Sequence, residues 1–167
     1  MAKVIDHVLA LLPFEPPYME AAGMTCDFVG HPVVTQPQAS AEEAAAFRET
    51  LMIGEDQPLV LMLPGSRKGE VKRLAPRFNA AMNRLRKREP GLRVVLPTVR
   101  GVSAMVRKMA AGWDHPPNVV EAEDDRRAAF AAADFALAAS GTVSLDLAAS
   151  RTPMVIGYDM HPLTRLM

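Results

Sequence analysis

Short runs rich in Val, Leu and Ile recur along the chain at residues 7–11, 26–29, 59–63, 93–96, 118–120, 134–138 and 154–157. Each has the length of a β-strand. Between most of them lie stretches of helical length. The clearest sets Phe78, Ala81, Met82 and Leu85 at i, i+3, i+4 and i+7, with Asn, Arg and Lys on the other side, which predicts a helix burying one stripe. Pro76 fits the first turn of that helix, where its missing N–H costs nothing, and Glu89-Pro90-Gly91 supplies a stop. Further helices are expected over residues 102–111, 124–133 and 143–149, the second with acidic residues in its first turn. Near-continuous apolar strands alternating with helices imply a parallel sheet covered on both faces, because parallel neighbours need crossover connections. The fold class predicted is α/β, a Rossmann-like doubly wound parallel sheet.

The pattern changes between Gly30 and Glu43, where Pro32, Thr35, Gln36, Pro37, Gln38 and Ser40 form a polar, proline-bearing stretch read as a linker. Residues 1–34, about one β-α-β unit, are too few to bury a core of their own and read as the tail end of a preceding domain with its hinge. Residues 35–167 read as a second domain, incomplete at its end, since 161–167 look like the start of another helix. Both ends look cut. There is no repeat of solenoid period.

Composition narrows the function classes. Hydrophobic residues make up 49% and charged residues 23%, as in an ordinary globular domain, and Lys+Arg and Asp+Glu balance at 19 each. A balanced chain has no overall basic field to hold nucleic acid by counterion release, so a nucleic-acid partner is not expected. Cys26 is the single cysteine, which leaves no intramolecular disulfide or all-cysteine zinc site, fits a reducing cytoplasm, and reads as a small buried hydrophobe. No apolar run approaches the roughly 20 residues of a membrane span. The apolar start Val4-Ile5 is broken at once by Asp6, unlike a signal peptide.

Two turns carry candidate chemistry. In the run from Leu59 through Leu63, Pro64, Gly65, Ser66, Arg67, Lys68 and Gly69 to Glu70, a buried strand enters a small-residue turn with two cations and then a helix. Ligands of doubly wound sheets sit at such carboxyl ends. Gly65 lets a ligand approach the backbone, Ser66 caps the helix or bonds a phosphate oxygen, free N–H groups attract an anion, and Arg67 offers a bidentate donor. An ordinary strand-to-helix turn with solvated Arg67 and Lys68 fits equally well. The second turn, Ala139-Ser140-Gly141-Thr142, leads to Asp146 one turn into a helix. It cradles a diphosphate with Asp146 on a sugar hydroxyl, or it merely caps with Asp146 solvated. Neither turn is a Walker loop or a G-x-G-x-x-G turn.

Other features point less far. His31, in Gly30-His31-Pro32 at the hinge, is a donor to a phosphate, an acid/base group or simply a solvated loop residue. His7, His115 and His161 share no metal-ligand spacing, so no metal is expected. The run Arg84-Leu85-Arg86-Lys87-Arg88 is a solvated helix face, with an anionic membrane surface as the sharper option. There is no G-x-S-x-G elbow.

Three stretches, Leu63-Pro64-Gly65-Ser66-Arg67 with Glu70-Val71, Ala139-Ser140-Gly141-Thr142 with Leu145-Asp146, and Pro153-Met154-Val155-Ile156-Gly157-Tyr158, resemble lipid-A-disaccharide synthases in order and spacing. Leu11-Leu12-Pro13-Phe14-Glu15 and Phe28-Val29-Gly30-His31-Pro32 resemble the same family just before its inter-domain linker.

The resemblance implies the donor-binding half of a GT-B glycosyltransferase. The reaction implied is an inverting, metal-independent transfer of 2,3-diacylglucosamine from UDP to 2,3-diacylglucosamine 1-phosphate, giving lipid A disaccharide 1-phosphate and UDP in lipopolysaccharide biosynthesis. The donor is a substrate, and no cofactor is implied. Carried over residue by residue, Gly65, Ser66, Arg67 and Glu70 form one donor loop, Ser140, Gly141 and Thr142 the other, and His31 a hinge contact. Asp146 stands where the family usually has Glu, one methylene shorter, and Tyr158 and Met160 either line the cleft or pack. The general base is expected in the acceptor domain, so these residues alone should not turn over. A cytoplasmic location, peripheral contact with the inner membrane, and a homo-oligomer are further expectations. Two other readings remain open: another UDP-sugar enzyme such as a 2-epimerase, and a non-catalytic nucleotide-binding module.

Overall fold

The computed structural model describes residues 2–159, which fall into two compact units dividing between Pro37 and Gln38. The break lies just past the expected Val34/Thr35 boundary because Pro32–Thr35 closes the first unit as a turn of 3-10 helix. The helix expected from residue 161 and the position of Met160 lie outside the described residues.

In the first unit, strands β1 (His7–Ala10) and β2 (Thr25–Phe28) pair in parallel, His7 opposite Thr25 and Ala10 opposite Phe28, across helix α1 (Pro16–Ala21). The Glu15 carboxylate accepts the Leu11 and Leu12 amides at 3.0 and 2.8 Å, which folds the chain back before Pro16 and Pro17 start the helix. Few side chains are interior. Cys26 is one of them, and burial, reinforced by the acidic Glu20 and Asp27, pushes its thiol pKa up.

The second unit is a parallel sheet in the order β5-β4-β3-β6-β7. Its strands are β3 (Leu59–Leu63), β4 (Arg93–Pro97), β5 (Asn118–Val120), β6 (Phe135–Ala139) and β7 (Met154–Gly157). Its helices are α2 (Ala41–Thr50), α3 (Lys68–Arg86), α4 (Ser103–Ala110), α5 (Glu123–Ala132) and α6 (Val143–Ala149). The doubly wound class expected from the periodicity is the one found. Every residue of β3 is buried. Leu59, Leu61 and Leu63 join a cluster with Phe47 of α2, Phe130 of α5 and Leu147 of α6, whereas Val60 and Met62 join Val71, Leu74 and Phe78 of α3 and Val106 of α4. The period-2 alternation thus divides one strand between two cores.

Two expectations are corrected. The stretch read as linker through Glu43 already holds the start of α2, which Ser40 opens with a complete capping box: the Glu43 amide donates to Ser40 Oγ at 3.2 Å and the Ser40 amide to Glu43 Oε2 at 2.7 Å. Pro76 lies inside α3 and not in its first turn. An interior proline costs about 3 kcal/mol, but Val71, Leu74, Phe78 and Met82 are buried along this helix and each contributes roughly 1.5–3 kcal/mol. Burial wins, and because Pro76 is exposed, water can reach the carbonyl its ring leaves unbonded.

Arg48 fastens the end of α2. Its guanidinium donates to the carbonyls of Ala132 (2.8 Å), Gly54 (2.9 Å), Glu55 (3.1 Å) and Gln57 (2.5 Å), with its side chain only 14% exposed. Arg48→Met keeps the aliphatic stem and strands these acceptors. It should destabilise the chain by about 2–4 kcal/mol and lower Tm by roughly 5–12 °C; an unchanged melting curve would contradict this role. The first unit also leaves Leu9, Phe14, Tyr18 and Phe28 more than half exposed. Such apolar surface predicts concentration-dependent association of the chain in light scattering, and a clean monomer at high concentration would oppose it.

Candidate functional site

The strand order places the site. The chain runs β3-α3-β4-α4-β5 toward one edge, then crosses back through α5 to β6 on the other side of β3. The loop after β3 leads to α3 on one face, and the loop after β6 leads to α6 on the other. A crevice must open where these loops part, outside the carboxyl ends of β3 and β6. A cleft of about 350 Å³ lies there, lined by Gly65, Ser66, Arg67, Glu70, Ser140, Gly141, Thr142 and Asp146. The structure therefore brings both candidate turns to one place.

The β3 loop is shaped by its own helix. Gly65 has φ +111°, and a Cβ there would lie 2.0 Å from Glu70 Oε2. The Glu70 carboxylate folds back over Gly65 from the first turn of α3, and its Oε2 accepts the Ser66 amide at 3.2 Å. Ser66 does not cap the helix; Arg67 occupies the N-cap position, without a side-chain cap bond. Among the described residues the Arg67 side chain has no ion pair or hydrogen bond. An exposed guanidinium at the crevice mouth is thus available to a ligand anion.

In the β6 loop the Ser140 amide donates to the Gly157 carbonyl at 3.1 Å, continuing the β6–β7 pairing. The Gly141 carbonyl accepts both the Ser144 amide (3.1 Å) and the Ser144 hydroxyl (2.8 Å). Thr142 is the N-cap of α6, and its hydroxyl makes no cap bond. Of the N–H groups in the two turns, those of Ser66 and Ser140 have acceptors within the protein.

Sequence reasoning missed the rest of the lining. Pro97, Thr98 and Val99 at the end of β4, and Arg126 and Phe130 of α5, complete the cleft. Arg126 and Phe130 are one turn apart on a helix that was expected, so the spacing was a usable signal. With Arg126 counted, two guanidiniums and two carboxylates, those of Glu70 and Asp146, line the cleft. Such a cleft offers donors for phosphate oxygens and acceptors for sugar hydroxyls in one place.

Other candidates fall elsewhere. His31 belongs to the first unit, where its Nδ1 accepts the Val33 amide at 3.2 Å, leaving Nε2 to carry the proton in the neutral ring. Tyr158 neither lines the cleft nor packs, being 70% exposed. A second depression, of about 550 Å³, lies by the amino ends of β4 and β5, next to Arg86, Arg93, Asp114 and His115. Its Arg93 is committed to the Leu51 and Met52 carbonyls at 3.0 and 3.2 Å, and Asp114 opposes an anion. Among the described residues no group of three or more His, Cys, Asp or Glu side chains could hold a metal ion, and no helix is long and apolar enough to cross a membrane.

A family model described as lipid-A-disaccharide synthetase matches residues 1–167. The lipid-A-disaccharide synthase of Ruegeria pomeroyi is 58% identical, covering 99% of this chain and 43% of its own length, and that of Rhodospirillum centenum is 48% identical, covering 98% and 41%. The chain thus spans about two-fifths of the length of these curated relatives. Among solved structures, a glycosyl transferase of family 9 from Veillonella parvula superposes with TM-score 0.61 at 15% identity, over 75% of this chain and 37% of that one. The Anabaena protein HepE, solved in complex with UDP and glucose, superposes with TM-score 0.56 at 16% identity, over 97% and 46%. These two likenesses show the fold. By the family model and its relatives together, the chain belongs to the lipid-A-disaccharide synthetase family.

Proposed function

We propose that this chain supplies the nucleotide-sugar site of a lipid-A-disaccharide synthase, with the β3 and β6 loops holding the diphosphate of UDP-2,3-diacylglucosamine. The observation that carries the reading is Arg67, without a partner among the described residues, beside two small-residue loops at the switch point of the sheet. The names of the curated relatives, and the UDP bound by HepE, support it.

In the reaction so proposed, the bond between the sugar anomeric carbon and the UDP diphosphate breaks while the acceptor hydroxyl attacks from the opposite face, inverting the centre. Negative charge builds on the departing diphosphate. Fixed donors aimed at that charge lower the barrier, and Arg67 supplies them without a metal ion. The Ser66 amide joins when a phosphate oxygen displaces Glu70 Oε2, a contact 3.2 Å long and exposed to solvent. Asp146, on α6, accepts from a ribose or sugar hydroxyl, and the hydroxyls of Ser140 and Thr142 bond phosphate oxygens. Residues 35–167 are proposed as the donor domain. Residues 1–34 are proposed as the end of an acceptor domain, which contributes the general base and binds 2,3-diacylglucosamine 1-phosphate, with His31 at the hinge. A cytoplasmic location with peripheral contact at the inner membrane is proposed with it, since both proposed substrates carry acyl chains. A second copy of the chain is a further proposed partner.

Calorimetric titration tests the donor site. UDP should bind saturably and CMP far more weakly, and Arg67→Ala should weaken UDP at least tenfold, about 1.4 kcal/mol or more. Absence of UDP binding, or affinity indifferent to Arg67→Ala, would refute the reading. Gly65→Ala combines a left-handed φ with expulsion of Glu70 from the loop. It should weaken UDP roughly tenfold while shifting Tm by only a few degrees; full affinity in this variant would show that the loop shape is not used.

A further inference from the structure

A formal net charge of zero hides a separation that only the fold reveals. Helices α3 and α4 pack on one face of the sheet, and α2, α5 and α6 on the other. Over Lys68–Arg86 and Ser103–Ala110 the first layer carries eight Lys and Arg against one carboxylate, Glu70, a net +7. Lys87 and Arg88 follow α3 directly. The opposite layer carries seven Asp and Glu against three Arg, a net −4. Like charges gathered on one face repel one another, a cost that opposite charge outside the molecule would offset.

The cations of α3 are largely uncompensated within the chain. Arg77 is paired with Asp159 at 3.1 Å. Lys72, Arg84, Lys87 and Arg88 are exposed, and among the described residues they make no ion pair. Glu70, the one carboxylate of the layer, is folded over Gly65 and holds the Ser66 amide. No large apolar or aromatic side chain of α3 or α4 is exposed. The face therefore offers nothing on which a base could stack and no anchor to insert among acyl chains. Lysine is also depleted from the cores of protein interfaces. A broad cationic face without aromatics fits a broad anionic one, the headgroup layer of a membrane, held by charge alone.

We propose that the layer formed by α3 and α4 is the surface through which this chain docks on anionic phospholipid, with the acidic layer of α2, α5 and α6 turned away. The inference rests on the membrane contact proposed above, for which it supplies the surface and the lipid chemistry. Repulsion of the acidic layer by the same lipid fixes the orientation. Because the helix layers cover the faces of the sheet, docking through one of them leaves the cleft at the strand ends open. Each Lys or Arg near an anionic leaflet adds roughly fivefold to affinity, and the attraction fades within a Debye length, about 10 Å at 0.1 M salt.

The test is co-sedimentation of the chain with phosphatidylcholine vesicles, with and without phosphatidylglycerol. Two double variants are compared with the wild type, and thermal melts verify that each is folded. Arg84→Gln with Lys87→Gln removes two cations from the basic layer. Lys3→Gln with Arg151→Gln removes two exposed cations outside α3 and α4, with the same change in net charge. The wild type should bind vesicles containing phosphatidylglycerol, ignore pure phosphatidylcholine, and be released at about 0.5 M salt. The Arg84 and Lys87 variant should bind about tenfold more weakly or worse, and the control should change less than about twofold. Equal losses in the two variants would show that net charge acts and not this face, and the inference is overturned. Equal binding to neutral vesicles overturns it too, as does failure to bind anionic vesicles; if poly-glutamate is bound instead, the face serves an acidic protein. UDP titration of the same samples reads the donor cleft separately: unchanged UDP affinity without vesicle binding strikes this inference alone, and vesicle binding with the expected variant pattern but no UDP binding supports it while striking the donor reading.

Discussion

Burial of β3 on both faces is the constraint on which the rest of the second unit depends. A strand whose alternate side chains enter two separate cores needs helices on both sides, and parallel neighbours need crossovers to supply them. Once the chain winds outward through β4 and β5 and returns to β6, the loops on either side of the switch lead to opposite faces. The crevice between them follows from the winding and from nothing specific to chemistry. What this sequence adds is the content of those loops: Gly65 where a side chain would strike Glu70, Arg67 without a partner among the described residues, and small residues after β6.

The cleft carries side-chain charge of both signs. Arg67, Arg126, Glu70 and Asp146 all line it, so the cleft is formally balanced, and neither arginine has an ion pair among the described residues. Glu70 has two parts to play. It holds the Ser66 amide and fills the space over Gly65, and it is the group that an incoming diphosphate would displace. A carboxylate yielding an amide to a ligand is a cheaper rearrangement than moving backbone, because only side-chain torsions change.

Much of this was legible in the sequence because period and strand length are strong signals. The run from Leu59 to Leu63 could only be a doubly buried strand, and the small-residue turns after it and after β6 stood at carboxyl ends where ligands gather. The start of α2 was hidden because its first residues are Ala and Glu, with only Ala44 and Phe47 buried, so no wide apolar stripe marked it. Pro76 misled through a local rule that a long stripe overrode. The amides of Ser66 and Ser140 looked free since their acceptors, a side chain folding back and the carbonyl of Gly157, exist only after the chain has folded. Arg126 and Thr98 escaped for a related reason. Each is ordinary in its own segment, and only the strand order sets them beside the β3 loop.

The central claim is that the nucleotide sits at the carboxyl ends of β3, β4 and β6. It is tested most directly by mapping amide chemical-shift changes on adding UDP to isotopically labelled chain. The account predicts changes concentrated in the loops around Gly65 to Glu70, Thr98 to Val99 and Ser140 to Asp146, with the amino ends of the strands silent. Changes centred on Arg86, Arg93 and His115, by the amino ends of β4 and β5, would contradict it.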